Sequence, residues 1–489
     1  MTHRSQPPED AVVIPEGRPQ SATERLLGDF SADRSLLRLC ALAAGIGVAS
    51  TALALGLLDL IALLTHLLYT GTVSVKLGPP DIHVLGALSI LVPVLGGLVV
   101  GAMARFGSER IRGHGIPEAM ETILLRGSRM EPRLAILKPV SSAVSIGSGG
   151  PFGAEGPIIV TGGALGSVFA QFFHLAAIER RALLVAGACG GMAAVFGTPL
   201  AAVLFGVELL VFEWKPRSMV PVGVAVVVAD TIRNVLAGHG LLRAAPLFPL
   251  HLSFGSTPLH VSEAALLGLL TAALAWLLTT AVYGAEDAFK RLPLHWSWWP
   301  ALGGLVVGLG GLADARALGV GYDTIDAELA GKLAIGALLL LLVVKLVIWS
   351  VALGSGTSGG ILAPLLMIGA AAGGLAGHAI GGHPGVWAVL GMAATLAGVT
   401  RSPFLSIVFA VELTHEQNLL LPLLAVCSVA HLVSALGLKR SILTEKVARR
   451  GFHVMREYSV DPLEALFVRD VMRAELSVVR ADEPAGEVR

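Results

Sequence analysis

Two long apolar runs, residues 36–69 and 83–104, can each cross a bilayer, which takes about 20 residues. After them the pattern changes. Apolar stretches shorten and are cut by Gly or Pro, at 116–126, 134–146, 155–173, 182–194, 199–213 and 218–238. The polar, Pro-rich stretch 239–258 reads as a loop. A second series follows at 259–284, 297–314, 332–353, 361–380, 385–400, 403–415 and 419–438. Many of these are too short to cross alone. They predict half-helices entering from opposite sides, because interrupted backbone at membrane depth is tolerated where it is buried or lines a watery cavity.

Composition supports a polytopic membrane protein. The chain has 489 residues, 54% hydrophobic and 14% charged, with a mean hydropathy of +0.76, whereas soluble domains carry roughly 25% charged residues. Lys+Arg and Asp+Glu are both 35, which gives no sign of a nucleic-acid partner. Cys40, Cys189 and Cys427 lie in apolar stretches without disulfide or metal-ligand spacing. They read as inert core thiols, and no metal site is expected. Residues 1–35 are polar and read as a disordered tail that carries no signal-peptide pattern. Arg25, Arg34 and Arg38 precede the first apolar run and place that tail in the cytosol, as do the basic segments 105–138 and 439–450 for their own ends of the membrane region. Trp276 and the cluster Trp296, Trp298 and Trp299 read as interfacial anchors rather than as ligand boxes.

The two series resemble each other. GSGGPFGAEGP at 147–157 aligns without a gap to GSGTSGGILAP at 354–364, and TPLAAVLFGVEL at 198–209 aligns to SPFLSIVFAVEL at 402–413. The offsets, 207 and 204, are nearly equal. Two halves of one plan are therefore expected, with the binding site at corresponding broken segments. The expected organisation is a tail (1–35), a first membrane repeat (36–240), a connecting loop (241–258), a second repeat (259–450) and a cytosolic segment (451–489).

One carboxylate, Glu155, sits in the first of these breaks. A charge at the bilayer centre costs on the order of 2.5–3.5 kcal/mol even on permissive scales, so such a residue is a functional candidate. Three Gly-rich breaks each open an apolar helix: GHGIPE (Gly113–Glu118), GAEGP (Gly153–Pro157) and GILAP (Gly360–Pro364). Proline is well placed just inside a helix start, and the free N–H groups there can receive an anion. No Lys or Arg lies inside the three motifs. Converging helix starts would thus offset the desolvation of a small anion without a fixed cation that held it too tightly to pass.

GHGIPE, GSGGPFGAEGP and GILAP, set in inverted halves, resemble the CLC family of chloride channels and chloride/proton antiporters over about residues 36–450. The resemblance implies an all-α polytopic fold with two inverted-topology repeats of tilted and broken helices. It also implies a homodimer in the lipid bilayer with one pathway per subunit for chloride and similar small anions. No cofactor is implied. Glu155 takes the place of the gating glutamate, whose carboxylate fills the outer anion site when deprotonated and leaves when protonated or displaced. Gly113, His114, Gly115, Ile116, Pro117, Gly153, Ala154, Gly156, Pro157, Gly360, Ile361, Leu362, Ala363 and Leu443 fall at the family's anion-binding positions. LFVRDVMRAELSVVRADEP, from residue 466 on, resembles the opening of a CBS domain, present here as an incomplete piece too short for a nucleotide site.

Several positions depart from the family pattern. His114 replaces the usual serine; its imidazole can donate a hydrogen bond to an anion and could add pH sensitivity. Leu362 stands where the family carries Phe, and Leu443 where it commonly places an anion-contacting tyrosine, so the inner constriction is expected to lack its usual hydroxyl ligands. Leu209 occupies the position of the antiporters' inner glutamate and cannot relay protons. Glu208 adjoins it, about 100° around a regular helix, and with its repeat mate Glu412 reads as structural; Glu208 and Glu213 remain candidate substitute proton acceptors. The expectation is a cell-membrane, multi-pass protein with cytosolic termini that is not an enzyme and conducts chloride in a channel-like manner gated by Glu155. The alternative is a chloride/proton antiporter using Glu155 with a non-standard inner proton route. A third, weaker reading is an intramembrane enzyme or receptor, for which no HExxH or Ser/His arrangement is present.

Overall fold

Gly and Pro set where the helices of this chain begin and end. The computed structural model describes residues 35–250 and 257–451. Among the described residues it contains seventeen α-helices: α1 (Ser35–Thr70), α2 (Leu91–Phe106), α3 (Ile116–Leu125), α4 (Leu134–Gly147), α5 (Glu155–Phe172), α6 (Ala177–Phe196), α7 (Pro199–Phe205), α8 (Pro216–Gly238), α9 (Pro258–Lys290), α10 (Trp299–Ala313), α11 (Tyr322–Leu329), α12 (Ile335–Gly354), α13 (Leu362–Ile380), α14 (Pro384–Thr400), α15 (Pro403–Thr414), α16 (Leu420–Gly437) and α17 (Ile442–Arg449). Proline stands in the opening turn of α3, α7, α8, α9, α10, α14 and α15, where its missing N–H costs nothing. Seven stretches among the described residues are long and apolar enough to cross a membrane. The architecture is all-α and polytopic. The tail and the CBS-like segment lie outside the described residues.

The two series of helices pack in the same way. α5 lies against α6 and α13 against α14. At the first crossing a Cβ on Gly162 would stand 2.2 Å from the Gly187 carbonyl oxygen. At the second, a Cβ on Gly369 would stand 2.6 Å from that of Gly391. Gly369 follows Gly162 by 207 positions, and Gly391 follows Gly187 by 204. These are the offsets of the sequence blocks. Small residues allow this close approach of backbones, which is how helices pack where lipid supplies no hydrophobic drive.

The structure departs from the sequence reading in two places. Helix α11 was not foreseen, because YDTIDAEL is polar and short; it is the counterpart of α3, its GVG entry (Gly319–Gly321) matching Gly113–Gly115 at an offset of 206. Gly113, Gly115, Gly319 and Gly321 all have positive φ, a turn that L side chains rarely adopt. The second departure is at Gly206–Val211, a π turn that ends at Phe212 in the left-handed region. The 100° separation expected between Glu208 and Leu209 presumed a regular α-helix; this wider turn narrows it, and the two residues still point in different directions.

Candidate functional site

The three Gly-rich breaks meet. Gly113 N–H donates to the Thr357 carbonyl at 3.3 Å, and Gly360 N–H donates to the Gly153 carbonyl at 3.1 Å. A Cβ on Gly156 would stand 2.3 Å from the His114 carbonyl oxygen and 2.8 Å from Gly360 Cα. Hence the starts of α3, α5 and α13 are in backbone contact around Gly156. Gly115, before α3, is held by its N–H donating to Glu118 Oε2 at 2.8 Å. All the anion-binding candidates named above, from Gly113 to Pro117, Gly153 to Pro157 and Gly360 to Ala363, are buried.

Glu155, the first residue of α5, is fully buried. Its Oε1 accepts the Ala363 N–H in the opening turn of α13, and its Oε2 has no hydrogen-bond partner. The carboxylate therefore spans two helix starts and is received by an amide that would serve any small anion equally. The repeat alignment placed Glu155 opposite Leu362, one residue from the amide that receives it.

No Lys or Arg stands inside the three motifs, but two buried lysines outside them reach the backbone of Gly-rich helix entries. Lys138 on α4 is fully buried and donates to the carbonyls of Ile111 and Gly113 at 2.8 and 2.7 Å. Its mate at offset 207, Lys345 on α12, is also fully buried and donates to Ala317 O at 2.8 Å and Gly319 O at 3.4 Å. Each ammonium ties down the carbonyls of a Gly-rich entry, oxygens that would otherwise repel an anion. The signal for both was in the sequence: a lysine in mid-run, twice, at the offset of the glycine blocks.

The remaining candidates divide. His114 is buried and its Nδ1 has no hydrogen-bond partner, so the imidazole keeps an unused polar atom at the α3 start. Leu443 is buried in the first turn of α17. Beside it Tyr283 of α9 donates its hydroxyl to the Ile442 carbonyl, so a tyrosine reaches this segment from a helix the sequence did not implicate. Lys446 and Arg450 stand 3.3 and 3.6 Å from Glu118 and hold this C-terminal segment to α3. Leu209 is fully buried. Glu208 Oε2 accepts from Leu405 N–H at 3.1 Å at the start of α15, and Glu412 accepts from Leu200 and Ala201 N–H at 2.9 and 2.8 Å at the start of α7. Each thus accepts from the first turn of its counterpart helix. Glu213 lies 2.9 Å from Arg181 and 3.6 Å from Lys215, and accepts from Ser218 Oγ at 2.7 Å.

Two cavities among the described residues carry charged linings. One, of about 640 Å³, is lined by Arg110, Arg112, Arg126, Lys446, Arg449 and Arg450 with fewer acids. Arg112 stacks over Trp296 at 4.6 Å and Trp299 at 5.7 Å, so these two rings steady a cation of this cavity, a role other than the anchoring expected of them. The other, of about 450 Å³, is lined by the 75–79 and 240–243 segments and the start of α11.

Residues 96–435 match the model of a protein family described as voltage gated chloride channel. The chain is 32% identical over 363 residues to the voltage-gated ClC-type chloride channel ClcB of Citrobacter koseri, covering 71% of this chain and 84% of that protein. It is 31% identical over 346 residues to the H(+)/Cl(−) exchange transporter ClcA of Cronobacter sakazakii, covering 66% of this chain and 71% of that one. Among solved structures it resembles that of a slow cyanobacterial Cl−/H+ antiporter (TM-score 0.71, 22% identity, 86% of this chain and 98% of the other). It also resembles that of a CLC-type fluoride/proton antiporter (TM-score 0.70, 23% identity, 83% and 97%).

Proposed function

The chain belongs to the CLC family of multi-pass chloride transport proteins, and from that premise we propose that it exchanges chloride for protons through Glu155. The observation that carries this reading is the Glu155 carboxylate received by the Ala363 amide where the helix starts meet. A deprotonated Glu155 competes with chloride for that amide. Protonation removes its charge, weakens its hold on the helix start and lets chloride enter. Deprotonation brings the carboxylate back and expels the anion. Reciprocal occupancy of one site by a proton-regulated carboxylate and an anion is the elementary step of antiport.

The exchange-transporter names of several relatives support this alternative over the channel-like reading. Leu209 breaks a two-glutamate route, so protons reach Glu155 another way. Because Glu213 is engaged by Arg181 and Lys215, the reading favours water over Glu213 as that route. Passive, Glu155-gated conduction stays as the second reading; the buried apolar Leu209 and the channel name of the Citrobacter koseri relative favour it. In either, the Arg-rich cavity concentrates anions by its potential. The cytosolic placement of the basic segments and a homodimer with one pathway per subunit complete the proposal.

Chloride efflux from proteoliposomes with simultaneous pH recording tests it. A chloride gradient is expected to drive protons uphill at a fixed ratio, and turnover to fall as pH rises, because a larger fraction of Glu155 is then deprotonated and occupies the site. Glu155→Gln is expected to move chloride without protons and without that pH dependence. Chloride flux with no uphill proton movement in the unaltered protein would refute antiport and leave passive conduction.

A further inference from the structure

The cavity of about 450 Å³ holds two buried polar groups that the gate does not use. Arg233, on α8, is 1% exposed. Its Nη2 donates to the Arg243 carbonyl at 2.8 Å, but Nε and Nη1 have no hydrogen-bond partner. Asp230, three residues earlier on the same helix, accepts from Asn234 at 3.1 Å through Oδ2, while its Oδ1 is buried without a hydrogen-bond partner and makes no hydrogen bond to Arg233. The guanidinium packs against the C-terminus of α6, where a Cβ on Gly197 would stand 2.7 Å from Nη1. That helix end favours a positive charge but leaves the two donors unfilled.

Tyr322, the first residue of α11, is 6% exposed, and its hydroxyl also has no partner. Phe196 and Phe248 hold its ring from two sides, at centroid distances of 6.3 and 6.1 Å. α11 packs on α13, the helix whose opening amide receives Glu155, with Met367 filling the space at Gly321. Arg233 and Tyr322 line one cavity, with Lys76 and Arg243 as further cations and Asp59 and Asp323 as acids. Asp323 is paired with Arg243 at 3.2 Å.

A buried guanidinium with two idle donors and a buried tyrosine with an idle hydroxyl line one cavity. Unfilled donors of this kind are costly, and a small anion satisfies them with charge-assisted hydrogen bonds. We propose that Arg233 and Tyr322 form a second anion station, which holds a small monovalent anion beside the Glu155 gate and hands it to the converging helix starts. The role in transport rests on the chloride-transport reading; the binding itself does not.

Bromide is the probe, since its anomalous scattering locates it in crystals of the full chain. Bromide is expected between Arg233 and Tyr322 and absent from crystals of Arg233→Gln. Tyr322→Phe removes only the hydroxyl and keeps the ring packing, so it tests the station even if the Arg233 variant misfolds. It is expected to weaken bromide occupancy and raise the half-saturating chloride concentration on this cavity's face by roughly tenfold, the worth of one hydrogen bond to a charge. Half-saturation from the opposite face should not move. Empty density at the station in the unaltered protein, or unchanged half-saturation in Tyr322→Phe, overturns the proposal. A protein that binds bromide there but moves no anion would uphold the station and refute the transport reading instead.

Discussion

Replacing Gly156 with Ala places one methyl group at the junction of the three helix starts. The added Cβ would stand 2.3 Å from the His114 carbonyl oxygen, against 3.4 Å for an ordinary contact, and 2.8 Å from Gly360 Cα. Both neighbours are backbone, so no side-chain rotation relieves the overlap. About 1.1 Å of extra room must come from moving the α3 entry away from α5, and about 0.6 Å from moving the α13 entry. Overpacking of this kind costs about 1–3 kcal/mol. The functional loss should be larger than the stability loss, because the amides that receive Glu155 and the anion shift together. A misplacement of about 1 Å at a preorganised site can cost on the order of a hundredfold in rate. Gly163→Ala is the control on the same helix: its nearest neighbour would be Leu184 Cδ2 at 3.4 Å, the end of a flexible side chain. Chloride efflux from proteoliposomes, with thermal unfolding of the same preparations, reads both quantities. If Gly156→Ala retains efflux within about twofold of the unaltered protein, the helix starts do not form a rigid receptor and the reasoning fails.

Lys138→Met leaves the Ile111 and Gly113 carbonyls without their ammonium, at about 1–3 kcal/mol for each buried group left unpaired. A lowered unfolding midpoint and lost efflux are expected; a variant that melts with the unaltered protein would show that water replaces the ammonium at no cost. Glu412→Ala uncaps the Leu200 and Ala201 amides of α7 and should cost about 0.5–2 kcal/mol, the range of a lost helix cap. Unfolding in denaturant measures the loss, and the proton-to-chloride ratio of the variant should stay that of the unaltered protein; an altered ratio would assign Glu412 to the proton route.

Much of the helix layout was legible because Gly and Pro act locally. A proline at a helix start and a glycine turn need no tertiary partner, so the boundaries of α3, α5, α13 and α15 could be read from the chain alone. Helix α11 was missed for the opposite reason. Its eight residues carry little apolar signal, and it is seated by contact with α13 and α14. Lys138 and Lys345 were legible in principle by their shared offset, but only the fold shows that their ammoniums clasp carbonyls and do not face an anion.

Sequence by itself determined that this chain belongs in a bilayer, that it is built twice, and that one expensive carboxylate opens a broken helix. Each follows from composition, spacing or the cost of a buried charge, which are properties of the chain. Tertiary structure alone decided that α3, α5 and α13 start at one point and that Glu155 reaches the Ala363 amide. It alone showed that Glu213 is spoken for by Arg181, and that Arg233 and Tyr322 share a cavity. These are relations between segments up to about 200 residues apart, fixed by glycine-mediated backbone contact, and no local pattern encodes them.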